Sequence, residues 1–186
     1  MDGANWGELG RLGLGDDITR LVPTAVRGAL HGKSVVGASA GQNHSAVVTQ
    51  AGELYTWGGE EFGILGHSEG THMHSPKVVE ALLGKRVVGV SAGSVHTAAW
   101  TEAGELFSWG VSDDGQLGHG DDDCKQLPTV VEALRGQRVV AASAGEEHTV
   151  AVTDAGLMYA WGGGRAWACP LVPPAIISSS LEGAAS

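Results

Sequence analysis

His44, His96 and His148 follow one another at intervals of 52 residues, each inside a run of small residues: SAGQNHSAVV, SAGSVHTAAW and SAGEEHTVAV. Imidazole titrates near neutrality and serves as acid, base or metal ligand, so these rings are the first candidates for chemistry. A catalytic histidine needs an orienting partner and a substrate, and such groups stand once per site rather than once per repeat. Recurrence therefore favours a structural peg. At the start of a strand lined by Ala, Thr and Val, the ring is expected to donate to a neighbouring loop carbonyl and lock one repeat to the next.

Other residue sets invite chemical readings and lose them on spacing. HSEGTHMHSP offers His67, His72 and His74, but no carboxylate stands at a fixed interval to complete a metal's ligand set. GRLGLG at 10–15, GILGH at 63–67 and GQLGHG at 115–120 resemble phosphate-cradling loops. A phosphate loop needs a helix N-terminus behind it, whereas each of these runs on into polar loop, proline and strand. Glycines allowing positive φ around one buried leucine are the better account. Asp113, Asp114, Asp121, Asp122 and Asp123 lack the ligand spacing of a calcium loop and read as an acidic rim that could attract a basic partner. No catalytic residue, metal or cofactor is assigned.

The elements that carry these residues repeat with them. Trp57, Trp109 and Trp161 are also 52 apart, as are Gly41, Gly93 and Gly145 of the SAG triplets. SPKVVEALLGKRVVGVSAG and LPTVVEALRGQRVVAASAG match closely, and VPTAVRGALHGKSVVGASAG matches with one extra residue. Within a period, PTVVEAL, RVVAASA, HTVAVT and GELFSWG read as four short strands punctuated by Gly and Pro, with VVEALLG, too short for a helix, a strand or a single turn. Glycine, 30 of 186 residues, supplies the turns. A four-stranded sheet of about 50 residues cannot bury both faces alone and must stack on its neighbours, as propeller blades do. The tryptophans are then packing anchors between blades. Units of the WD type are too short, and kelch repeats carry a Gly-Gly pair that is absent after Trp109.

Composition narrows the partners. With 42% apolar residues and a formal charge of −10, the chain has material for one core and lacks the basic surface that nucleic acid requires. No window reaches the length of a membrane span. Cys124 and Cys169 have no zinc or disulfide spacing and suit a reducing compartment, cytosol or nucleus.

The succession of proline, strand, VSAGSVHTAAWTEAGELFSWG and DDGQLGHGDDD resembles the repeat of the regulator of chromosome condensation family, over residues 3 to 161. The resemblance implies an all-β chain, a β-propeller with four-stranded blades, holding about 3 to 3.5 blades of an expected seven. The spacing sets one repeat domain over 1–177, with units at about 23–75, 76–127 and 128–172 and a partial unit at 1–22, and the composition of SSSLEGAAS marks 178–186 as a disordered tail. The family includes an exchange factor for the small GTPase Ran, a plant ultraviolet-B receptor and propellers fused to ubiquitin ligases. The receptor places GWRH where this chain has GQNH, GSVH and GEEH, so its chromophore is not expected here. A non-enzymatic module presenting blade loops to a protein partner is the leading expectation, and exchange on a Ran-like GTPase the alternative. Three units leave apolar faces open, as expected of a truncated product, of a piece of a longer chain, or of copies that self-associate to cover them; LVPPAI at 171–176 echoes LVPTAV at 21–26.

Overall fold

The computed structural model describes residues 9–164. The tail, LVPPAI and Cys169 lie outside them. The strands are β1 Val35–Ala40, β2 His44–Thr49, β3 Leu54–Gly58, β4 Met73–Val78, β5 Val87–Ala92, β6 His96–Thr101, β7 Leu106–Gly110, β8 Lys125–Val130, β9 Val139–Ala144, β10 His148–Thr153 and β11 Met158–Gly162. They pair with their chain neighbours into three antiparallel sheets, β1-β2-β3-β4, β5-β6-β7-β8 and β9-β10-β11. These are the propeller blades that the periodicity implies, here called the first, second and third. Equal spacing gives equal register: His44 faces Gly58, His96 faces Gly110 and His148 faces Gly162.

The proline-led segments behave differently from the sequence reading. PTVVEAL is not one strand opening a unit. Residues Lys125–Val130 close the second sheet, and Glu132–Leu134 form a single 3-10 turn on the way to the third. Units drawn from the proline thus cut the first and second sheets within their last strands, β4 and β8. Hydrogen-bond alternation explains the placement. The Val131 N–H donates to Leu106 O (2.8 Å), so two residues earlier Thr129 turns its N–H toward β7, while position 128 faces away. A residue without an N–H costs nothing at that position on an edge strand. Pro76 has the same place on β4, since Val79 N–H donates to Leu54 O (2.9 Å).

Blades are joined by apolar seams. Ala46, Val48 and Leu54 of the first blade meet Val87, Ala99, Phe107 and Trp109 of the second, with Val79 and Leu82 of the connecting turn between them. Ala98, Leu106, Val131, Leu134, Val139 and Ala151 repeat the seam between the second and third. On the outer face of the first blade, Val47, Tyr55 and Trp57 are covered by Leu30 and Val26.

Candidate functional site

The recurring polar residues converge at the blade junctions. His44 is 1% exposed and His96 is fully buried. His44 Nε2 lies 2.7 Å from Thr97 Oγ1 of the next blade, and His96 Nε2 lies 2.7 Å from Thr149 Oγ1. The partner is a threonine hydroxyl rather than the loop carbonyl expected from sequence. The carbonyl stands one step further on: Thr97 donates to Ile64 O (2.8 Å) and Thr149 to Gln116 O (2.8 Å).

This chain of bonds fixes the protonation state. A hydroxyl has one hydrogen, and a carbonyl can only accept. With its proton spent on Ile64, Thr97 Oγ1 must accept, so His44 carries its hydrogen on Nε2. His96 is fixed in the same way. The Nδ1 atoms of both rings are buried without a hydrogen-bond partner. A second proton there would be a charge with neither water nor acceptor. Burial, reinforced by the neighbouring ring, pushes the pKa of each down to about 4. A neutral ring whose one N–H is already given away, and whose other nitrogen is sealed, has no proton to exchange with a substrate. The junction can hold blades together and is not built for acid–base work.

The tryptophans bind the same carbonyls. Trp57 Nε1 donates to Arg11 O (2.9 Å), Trp109 Nε1 to Ile64 O (3.0 Å) and Trp161 Nε1 to Gln116 O (2.9 Å). Ser45, in the place of Thr97 and Thr149, donates to Arg11 O (2.8 Å). One carbonyl in each glycine loop therefore receives a hydroxyl and an indole from the following blade. Gly66, at φ 75, lies so close over Trp109 that a Cβ would sit 2.9 Å from Nε1. That clearance and the left-handed backbone are why the loop needs its glycine. Leu65 and Leu117 at the loop centres are fully buried, but the corresponding Leu12 is 43% exposed, because the described residues place no sheet of its own beneath it.

Two further sets of bonds went unread in the sequence. Ser39 Oγ accepts from Ala92 N–H and Ser91 Oγ from Ala144 N–H, both at 2.9 Å. The serines of the first two SAG triplets thus tie their strands to the first strand of the next blade. Within a blade, Thr56 donates to Leu65 O (2.7 Å) and pairs with His67 Nε2 (3.0 Å), while Ser108 does the same with Leu117 O (2.6 Å) and His119 Nε2 (3.2 Å). The 52-residue step from Thr97 to Thr149 was the signal that could have revealed the first relay.

Replacing Thr97 by Val keeps the shape and removes the hydroxyl, leaving the buried His44 N–H without an acceptor. We expect a loss of about 2 kcal/mol in a urea unfolding experiment; a change below about 0.5 kcal/mol would mean that the relay does not hold the blades.

The remaining candidates are spread over the surface. His67 is buried on Thr56, His72 Nδ1 accepts from Glu60 N–H (2.8 Å), and His74 Nε2 pairs with Asp17 (3.2 Å). The three rings thus serve separate partners. No cluster of three or more His, Cys, Asp or Glu side chains able to hold a metal occurs among the described residues. Asp113, Asp114, Asp121, Asp122 and Asp123 are all exposed, and Lys125 reaches Asp121 (3.2 Å) and Asp123 (3.7 Å). Ser143 and the His148 ring stand on the open side of the third blade, where both residues are exposed and the ring has no hydrogen-bond partner among the described residues, while Gly145 O accepts Ser94 N–H (3.1 Å) inside the junction with the second blade.

Comparison with known proteins agrees with this architecture. The ultraviolet-B receptor UVR8 of Arabidopsis thaliana is 41% identical over 160 residues, 86% of this chain and 36% of the receptor. The human E3 ubiquitin-protein ligase HERC2 is 42% identical over 164 residues, 86% of this chain and 3% of the ligase. Among solved structures, human WBSCR16 superposes with a TM-score of 0.65 at 28% identity, over 70% of this chain and 33% of that one. Yeast RCC1 (Prp20), solved with Kap60, superposes with a TM-score of 0.59 at 26% identity, over 67% and 31%. The chain spans little more than a third of the receptor and a small part of the ligase. The model of the regulator of chromosome condensation (RCC1) repeat matches residues 5–48, 51–100 and 103–152. By these matches, by its blades and by the junctions between them, the chain belongs to the RCC1 repeat family.

Proposed function

We propose that this chain is a non-enzymatic interaction module whose exposed loops bind a basic protein, working in a reducing compartment, cytosol or nucleus. One observation carries the reading: the residues that recur are spent inside the blade junctions, whereas the unrepeated polar residues stand outside. Between Gly110 and Lys125 the second blade exposes Asp113, Asp114, Asp121, Asp122 and Asp123, and the corresponding loop of the first blade exposes Ser68, Glu69 and His72 instead. Loops that vary on a fixed scaffold are where binding specificity resides. With a formal charge of −10, the surface favours a positively charged partner. Prp20p has been studied for binding to Gsp1p and to histones, and histones are basic in the sense that this rim requires.

The test is fluorescence anisotropy with labelled core histones. Wild-type chain is expected to bind in a salt-dependent manner, and changing the five aspartates to asparagine should weaken binding by at least tenfold at low salt. Equal affinity of the two forms would overturn the reading. Guanine-nucleotide exchange on a Ran-like GTPase is the second reading, supported by the similarity to yeast RCC1. Release of a fluorescent GDP analogue, accelerated by catalytic amounts of the chain, would establish it in place of the first. The receptor's light chemistry is not proposed: Gln42-Asn43, Ser94-Val95 and Glu146-Glu147 stand where it would need Trp and Arg.

A further inference from the structure

The two ends of the described arc carry complementary halves of one blade. The third sheet has β9, β10 and β11 and no fourth strand among the described residues. Its last strand is open: Met158 is 71% exposed, against 1% for Leu54 and 2% for Leu106 at the same repeat position. At the other end, residues 9–26 contain a glycine loop and a fourth-strand sequence, LVPTAV, without a sheet of their own. The loop is already seated on the first blade through the Arg11 carbonyl and a bond from Gly15 N–H to His74 O (2.8 Å). The strand segment beyond it is bare, with Ile18 64%, Leu21 93% and Val22 69% exposed. The outer face of the first blade, covered by Leu30 and Val26 over Tyr55 and Trp57, is open at Val35, which is 43% exposed where Val87 and Val139 are each 2% exposed.

Repeat equivalence says how these surfaces fit. Gly28, at φ 65, absorbs the extra residue, so upstream of it Pro23 corresponds to Pro76 and Thr24 to Lys77. Thr24 then offers the inward N–H that a fourth strand must give, and Pro23 takes the outward position. Across the same junction, exposed His148 corresponds to His44 and His96, and Ser45 to the hydroxyls that receive them. We propose that copies of this chain associate head to tail: residues 9–26 of a second copy complete the open half-blade β9–β11, Met158 packs against Val35, and His148 donates to Ser45 of that copy. Two copies closing on each other make a ring of six blades, one fewer than the seven that the resemblance implies and within the range of about four to eight that propellers use. The similar stretch at 171–176, which has Pro174 at the sequence position of Thr24, is the alternative occupant that the test separates. The inference rests on the arc alone and is independent of which outside protein the loops bind.

The test is native mass spectrometry of the full chain at micromolar concentration, with cysteine cross-linking in a C124S/C169S background. The expected mass is twice the 19.0 kDa of one chain. Tyr55 pairs with Val78 across the first sheet, so cysteines at the corresponding Tyr159 and Ala25 should join two chains, while cysteines at Tyr159 and Ala175 should not close within one. Met158→Lys alters a side chain exposed in the single copy. It should return the mass to one chain while leaving thermal unfolding of the diluted protein unchanged. Ala160 stands where Thr56 and Ser108 donate to the leucine carbonyl of the loop. Ala160→Ser should therefore tighten association about fivefold, the worth of one hydrogen bond. A wild-type chain of single mass, or a cross-link formed only within one chain through Ala175, overturns the inference.

Discussion

Acidification from pH 7 to pH 4 is expected to remove roughly 3 kcal/mol of stability for each of His44 and His96. Both rings are held neutral by burial, with folded pKa values of about 4, while an unfolded histidine titrates near 6.5. The unfolded state therefore binds more protons throughout the interval between. Stability is full above about pH 6.5 and falls as pH drops toward 4. Carboxylates add their own acid dependence at lower pH, so the decisive comparison is with a His44→Gln, His96→Gln variant. Its amide nitrogens can still donate to Thr97 and Thr149, yet it cannot titrate. Urea unfolding at half-unit steps should show a steep slope between pH 6.5 and 4.5 for the wild type and a markedly shallower one for the variant, in which His67 and His119, also held down by burial, still titrate. Parallel curves would mean that these rings are not sealed.

Gly93→Ala is expected to cost at least about 3 kcal/mol, because three neighbours occupy the space the methyl needs. A Cβ at Gly93 would stand 2.5 Å from Gly145 O, 3.1 Å from the Ala144 side chain and 3.1 Å from the His96 ring. Gly145 O is part of the junction itself, accepting Ser94 N–H at 3.1 Å. Relief requires the second and third blades to move apart, which also stretches the bonds from His96 and from Ala144 N–H to Ser91. Gly84→Ala is the matched control. Gly84 has φ 83 but nothing within 4 Å of its Cβ position, so only the backbone penalty of about 1 kcal/mol applies. In thermal unfolding the first substitution should lower Tm by roughly 6 to 12 °C and the second by a few degrees. Equal shifts would show that blade approach is not limited at Gly93.

Much of this architecture was legible in the order of residues, because a repeat prints its own period. Three markers at a step of 52 disclosed stacked sheets, and the glycine and proline punctuation disclosed four strands in each. What stayed hidden was the pairing across blades. His96 and Thr149 are 53 residues apart, Thr149 and Gln116 are 33, and Trp161 and Gln116 are 45; nothing local in the chain announces that these meet. The fourth strand was assigned to the following unit for a related reason. Sequence shows that a strand contains Pro128 but not which neighbour its remaining N–H groups face. Likewise Leu12 reads like Leu65 and Leu117 in sequence, and only the fold reveals that no sheet lies beneath it among the described residues.

The recurring imidazole is a neutral peg whose single hydrogen is committed to the next blade. Long-range proton–nitrogen correlation NMR of the histidine side chains across a pH series measures this directly. The prediction is that His44 and His96 carry their hydrogen on Nε2 from pH 8 down to pH 5 and titrate near 4. Rings that carry it on Nδ1, or that titrate near 6.5 with exchange-broadened signals, would contradict the claim.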